Sequence, residues 1–168
     1  MPKIIEDLEK RLQEESRRQI EELGYGAMTV RSVAKSCGVG VGTVYNYFPS
    51  KDDLVASYML ADWKTCIAAI EAVSTYSDSH RNVVRCIHDQ LLQYADRHRA
   101  LFRDEAAAER FAGTFSPRHG QLRRQLAAPL RKFCQSDFAA EFIAESLLTW
   151  TMAGKSLDEI CPLLDRLF

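Results

Sequence analysis

Apolar residues recur at three- and four-residue spacing along almost the whole chain, and no stretch alternates with period two for long enough to form a strand. That pattern restricts the chain to an all-α fold. Ile5, Leu8, Leu12, Ile20 and Leu23 share one face, with Ser16 at the intervening position, and Gly24 is suited to end this first helix. Thr29 is placed to cap a two-turn helix carrying Val30, Val33, Ala34 and Cys37. Gly38-Val39-Gly40 interrupts it, and a short helix follows over 41–48. Ser50 and Asp53 form a capping signal for a longer helix that runs to about Val73. Five further segments are expected to be helical. They run from Asp78 or Ser79 to near His98, from about Ala100 to Ala112 with a stop at Gly113, and from Pro117 to Phe133 with a break at Pro129. The last two run from Ser136 to Met152, with Gly154 beyond, and from Ser156 to Phe168.

Composition narrows the class. With 168 residues, 46% hydrophobic and 27% charged, the chain has material for a core and is not disordered by composition. Its apolar runs fall short of the roughly 20 residues a membrane span needs, and an acidic N-terminal segment is unlike a signal peptide. The five cysteines (37, 66, 86, 134 and 161) include no CxxC pair and read as reduced thiols, so a cytoplasmic location is expected. His80, His88, His98 and His119 have no metal-binding spacing. No nucleophile–base or paired-carboxylate set is legible, so an enzyme, a metal and a cofactor are not expected, nor is a membrane partner.

Charge is informative in its distribution. The sum is −1, yet residues 24–51 carry Arg31, Lys35 and Lys51 and no acid at all. A stretch of that kind suits a surface that approaches something negative. Within it, two short helices joined by a glycine-bearing turn make a helix-turn-helix. Ala34 is small where the helices approach, Gly38 supplies a positive φ, and Val30, Val33, Val44 and Phe48 supply the buried faces. The second helix is left with Val41, Gly42, Thr43, Tyr45, Asn46 and Tyr47, which are small, polar or aromatic and uncharged. Such a surface suits a major groove: asparagine reads adenine, valine and the threonine methyl meet the thymine methyl, and hydroxyls bond phosphate oxygens. The Gly38-x-Gly40-x-Gly42 run follows no strand and is not a nucleotide loop.

Gly24-Tyr25, Thr29-Val30, Ala34, Gly38-Val39, Gly42-Thr43-Val44-Tyr45-Asn46-Tyr47-Phe48 and Ser50-Lys51-Asp52-Asp53-Leu54 together resemble the N-terminal pattern of the tetracycline-repressor (TetR) family of bacterial transcription regulators. The resemblance covers roughly residues 10–55. It implies a helix-turn-helix DNA-binding domain over 1–51 and a helical ligand-binding and dimerisation domain over 52–168. It implies phosphate contacts from Thr43, Tyr45, Tyr47 and Lys51, with Thr29 and Arg31 in support, and base contacts from Val41, Gly42 and Asn46. The chain departs from the family at Gly40 and Val41, where Ser and then Lys or Arg are usual. It departs again at Gln19, where the first helix usually carries an apolar residue.

The C-terminal part is expected to hold a small apolar ligand against Trp63, Ile67, His88, Leu91, Tyr94, Phe102 and Phe111, with His88 or Tyr94 as polar anchor. The segments around Phe142, Leu147 and Trp150, and around Leu163, Leu164 and Leu167, are expected to form a homodimer interface, since reading an operator takes two heads. The resulting expectation is a repressor released from operator DNA by a small apolar molecule. The alternative is a TetR-like protein-interaction coactivator without operator binding, which the missing cation at position 41 favours.

Overall fold

The computed structural model describes residues 7–168, with side chains described for all of these except 108 and 111–118. Ile5, assigned above to the first helix, lies outside the described residues. Among the described residues the chain forms helices α1 (Leu8–Leu23), α2 (Val30–Cys37), α3 (Val41–Tyr47), α4 (Lys51–Tyr76), α5 (His80–Arg97), α6 (Arg99–Arg103), α7 (Glu105–Ala127), α8 (Asp137–Met152) and α9 (Leu157–Leu164), with a 3-10 turn at Ala128–Phe133 between α7 and α8.

The local signals explain most boundaries. Gly24 takes φ 84° and ends α1, and Gly38 takes φ 69° and ends α2, a conformation that a side chain would strain. Thr29 Oγ1 accepts the Ser32 amide at 3.0 Å and starts α2. Ser50 Oγ accepts the Asp53 amide at 3.0 Å and starts α4. Ser136 Oγ does the same for Ala139 at 3.1 Å, at the head of α8. Pro129, which cannot donate to a continuing helix, falls where α7 gives way to the 3-10 turn.

Two expectations are corrected. The segment from Ala100 to Ala112 is not one helix, and no new helix opens at Pro117. Instead α6 ends at Arg103, and α7 runs unbroken from Glu105 to Ala127. The cause is Asp104, whose Oδ1 accepts the Ala107 amide at 3.0 Å and so acts as a cap inside the anticipated helix. The last helix stops at Leu164 rather than Phe168. There Asp165 is held by Arg81 at 2.8 Å and Phe168 stacks on His80 with ring centres 4.3 Å apart, which turns the chain off the helical path.

The chain divides into two compact units, one reaching to Asp62 and including His98–Arg110, the other made of Trp63–Arg97 and Phe111–Phe168. In the first, Leu8, Leu12, Val33, Ala34, Val44, Leu54 and Val55 are essentially sealed from solvent. In the second, Ile70, Val83, Ile87, Leu91, Leu126, Leu130, Ile143 and Leu147 form the centre of the core. Among the described residues no helix is long and apolar enough to cross a membrane.

Candidate nucleic-acid interface

The helix-turn-helix is built on α1. The Arg11 guanidinium donates to the Cys37 carbonyl at 3.0 Å, satisfying the C-terminal end of α2. Beneath the start of α2, Gln19 is buried. Its Nε2 donates to Glu15 Oε1 at 2.7 Å, and its Oε1 accepts the Ser32 hydroxyl at 2.5 Å. Arg18 grips the same Glu15 carboxylate with two donors, at 2.9 and 2.7 Å. Burial pushes the Cys37 thiol up from its ordinary value.

The loop between α1 and α2 is fastened from three directions. The Tyr25 amide donates to Asp104 Oδ2 at 2.9 Å. The Tyr25 hydroxyl donates to Asp52, which also receives Arg110 Nε at 2.7 Å. The Lys51 ammonium donates to the Tyr25 carbonyl and lies over the Tyr25 ring. Burial lowers the Lys51 ammonium from its ordinary value. Burial pushes the Asp52 carboxyl up, but the hydrogen bonds from Tyr25 and Arg110 outweigh it and hold it below the ordinary carboxylate value.

With that frame in place, α3 buries only Val44, while Phe48 at its end is also buried. Thr29, Arg31, Gly42, Tyr45, Asn46 and Tyr47 are exposed, and Val41, Thr43 and Lys51 are half-buried. Tyr45 and Tyr47 keep 50% and 38% of their surface in water, a large apolar area for a seven-residue helix to leave open. Gly40 starts α3 with φ −71° and no side-chain cap, as the departure from the family pattern implies.

The residues expected around a ligand are divided between the two units. Trp63, Ile67 and Leu91 are packed in the core of the second unit with Tyr94 against them. Trp63 Nε1 donates to Gln125 Oε1 at 2.8 Å and meets the Tyr94 ring edge-on, with centres 5.5 Å apart. His88 is buried with Nε2 3.1 Å from the Lys155 carbonyl. Phe102 belongs to the first unit and is partly exposed, and the side chain of Phe111 lies outside the described residues.

Of the residues assigned to a dimer interface, Leu147 and Leu164 face inward, packed in the chain's own core, because α8 and α9 bury those sides against their neighbours. Leu167 is half-buried against the same core. Phe142, Trp150 and Leu163 stay exposed, Trp150 by 51% and Leu163 by 71%. They line an apolar groove of about 410 Å³ together with Ser146, Lys155, Glu159, Ile160 and Leu164.

Several parts of this arrangement had no local signal. Asp104 reaches Tyr25 from 79 residues away and Arg110 reaches Asp52 from 58. Gln19 stood out only as a polar residue on an apolar face.

Residues 13–58 match the family model for bacterial regulatory proteins of the tetR family. An HTH-type transcriptional regulator of Staphylococcus aureus (strain MRSA252), SAR2658, is 28% identical over 101 residues, which is 60% of this chain and 55% of that protein. The Bacillus subtilis HTH-type regulator YuxN is 27% identical over 96 residues, covering 55% of this chain and 33% of its own length. The chain thus spans about half the length, or less, of these curated relatives. Among solved structures, a transcriptional regulator from Aquifex aeolicus VF5 superposes with a TM-score of 0.65 at 18% identity, covering 94% of this chain and 95% of that one. A transcriptional regulator from Rhodococcus sp. Rha1 superposes with a TM-score of 0.64 at 25% identity, covering 94% and 86%. The match over residues 13–58 and a helical architecture shared along nearly the whole length make this chain similar to the TetR family of bacterial transcriptional regulators.

Proposed function

We propose that this chain binds operator DNA as a homodimer, entering the major groove with α3, and represses transcription until a small apolar molecule releases it. The observation that carries the DNA-binding reading is the surface of α3. It leaves Tyr45, Asn46 and Tyr47 in water, on a segment without an acidic residue from Gly24 to Lys51. Hydroxyls and an amide in that position can bond phosphates and base edges, and no carboxylate repels the backbone. Selection from random duplex DNA at low salt should enrich a two-fold symmetric sequence. No enrichment overturns the reading.

Dimerisation is supported by the apolar face of Phe138, Phe142, Trp150 and Leu163, which a monomer leaves in water. Ligand release is supported by α4, one continuous helix that carries Lys51 near the reading head and Trp63 and Ile67 in the core of the second unit. A ligand acts only by preferring one conformation, so a displacement at Trp63 would have to reach Lys51. Trp63 fluorescence that changes in step with loss of DNA binding, on titration with apolar small molecules, tests this.

A second reading, a protein-interaction coactivator, is favoured by one observation. Val41 replaces the usual cation, and the Lys51 ammonium is already engaged on Tyr25. Failure to bind any duplex, with the fold intact, would select it.

A further inference from the structure

We infer that Gln19 is a positioning residue for DNA contact: it takes the Ser32 hydroxyl proton, ties the first turn of α2 to α1, and so holds the Thr29 hydroxyl where it can donate to a phosphate. The inference rests on the operator-binding reading above.

The orientation of the Gln19 amide follows from its neighbours. A carboxylate can only accept, and Glu15 is kept ionised by the two Arg18 hydrogen bonds, against the opposing effect of burial, with smaller help from Gln19 and Ser36. The Gln19 nitrogen must therefore face Glu15, at 2.7 Å, and its oxygen must face Ser32. An amide oxygen 2.5 Å from a hydroxyl oxygen requires the hydroxyl proton between them. Ser32 has only that one proton. Its lone pairs then face the Thr29 amide, which donates to Ser32 Oγ at 3.2 Å. The Ser32 amide in turn donates to Thr29 Oγ1 at 3.0 Å. Thr29 thus has a filled acceptor site and a hydroxyl proton of its own. The protein offers that proton Ser32 Oγ at 3.0 Å, and Thr29 is exposed, so a phosphate oxygen can compete for it without disturbing the cap.

An apolar residue at position 19 changes this. The Ser32 proton would turn to the Thr29 carbonyl, 2.8 Å away, and the cap would lose its link to α1. The first turn of α2 would still form, but its own polar tie to α1 would be gone, leaving packing and the bonds of Arg11 to Cys37 and of Glu15 to Ser36 further along α2.

The test uses the full chain with Gln19→Met, which keeps the length and removes both polar atoms, beside Thr29→Val, the double variant, and the exchange Glu15→Gln/Gln19→Glu. The exchange reverses the amide and the carboxylate while leaving an acceptor for Ser32. Gln19→Met should weaken binding to all duplexes by about three- to tenfold, the size of one hydrogen bond, with an unchanged salt slope because no cation is lost. It should add little in the Thr29→Val background, and the exchange should recover at least half of the loss. Hydrogen exchange at the amides of residues 30–33 should quicken in Gln19→Met at unchanged global stability. Unchanged affinity and unchanged exchange in Gln19→Met overturn the inference, as does a loss fully additive with Thr29→Val. If the wild-type chain binds no duplex, the DNA-binding reading falls and the inference with it, while the exchange measurement still reports whether Gln19 holds the turn.

Discussion

The Lys51 ammonium donates to the backbone carbonyl of Tyr25 and lies 4.0 Å from the centre of the Tyr25 ring, so the first residue of α4 holds the loop that precedes α2. A side chain expected from sequence to touch phosphate is thereby also a structural clasp. Removing it should affect two measurements. Lys51→Met should lower the melting temperature of the free protein, through the lost charge-assisted hydrogen bond and cation–π contact, on the order of 1–2 kcal/mol. If a phosphate shares the ammonium, the same variant should also shallow the salt dependence of DNA binding by about one ion. A shift in melting temperature with an unchanged slope would leave Lys51 as a clasp alone.

Acid should unlock the base of the helix-turn-helix through Glu15. Its hydrogen bonds with Arg18, and secondarily with Gln19 and Ser36, bring its carboxyl down to about 2 from the ordinary 4.5, against the opposing effect of burial. A lowered folded-state value means that the unfolded chain takes up the proton first. The stabilisation is therefore full above about pH 4.5 and lost as pH falls toward 2. Glu15→Gln should be less stable than wild type near neutrality, and the difference should shrink across that window. Urea unfolding at several pH values measures it.

Asn46 and Tyr45 are both exposed on α3 but should fail differently. Asn46→Ala should relax preference at one base-pair position by about 1–3 kcal/mol, whereas Tyr45→Phe should weaken binding to all sequences alike. A panel of single-base operator variants separates the two patterns.

The uncapped start of α3 leaves room for improvement. A Cβ at Gly40 would meet Thr43 Oγ1 at 3.8 Å, an ordinary contact, and φ −71° suits any residue. Gly40→Ser should stabilise the protein by a few tenths of a kcal/mol, about the difference between a serine and a glycine cap. Thermal unfolding checks the sign.

The exposed face of α8 and α9 should set the oligomeric state. Leu163→Glu, 71% exposed and outside the core, should leave helix content intact while shifting sedimentation toward monomer at micromolar concentration. Leu147→Glu should instead unfold the protein, because Leu147 is sealed in the chain's own core.

What could be read in the sequence divides by range. Thr29, Gly38, Ser50 and Ser136 announce helix ends because a cap acts over three or four residues, and each acts where the spacing placed it. The exposed surface of α3 was legible for the same reason, since a two-turn helix with one buried valine leaves Gly42, Tyr45, Asn46 and Tyr47 in water. Asp104 was not legible as a cap, because Ala100 to Ala112 keeps a helical composition straight across it. Nor was the inward turn of Leu147 and Leu164, since a helix apolar over most of its circumference does not say which side meets its own chain. The link from Gln19 to Ser32 depends on how closely α1 and α2 approach, which only the folded chain supplies.

Asp104 and Arg110 close the Tyr25 loop from far downstream of Lys51. A chain emerging from the ribosome therefore presents all of α3 before it has the residues that brace the Tyr25 loop. Contacts so distant in sequence form late. The loop between α1 and α2 therefore stays unfastened on that side until residues through Arg110 are free.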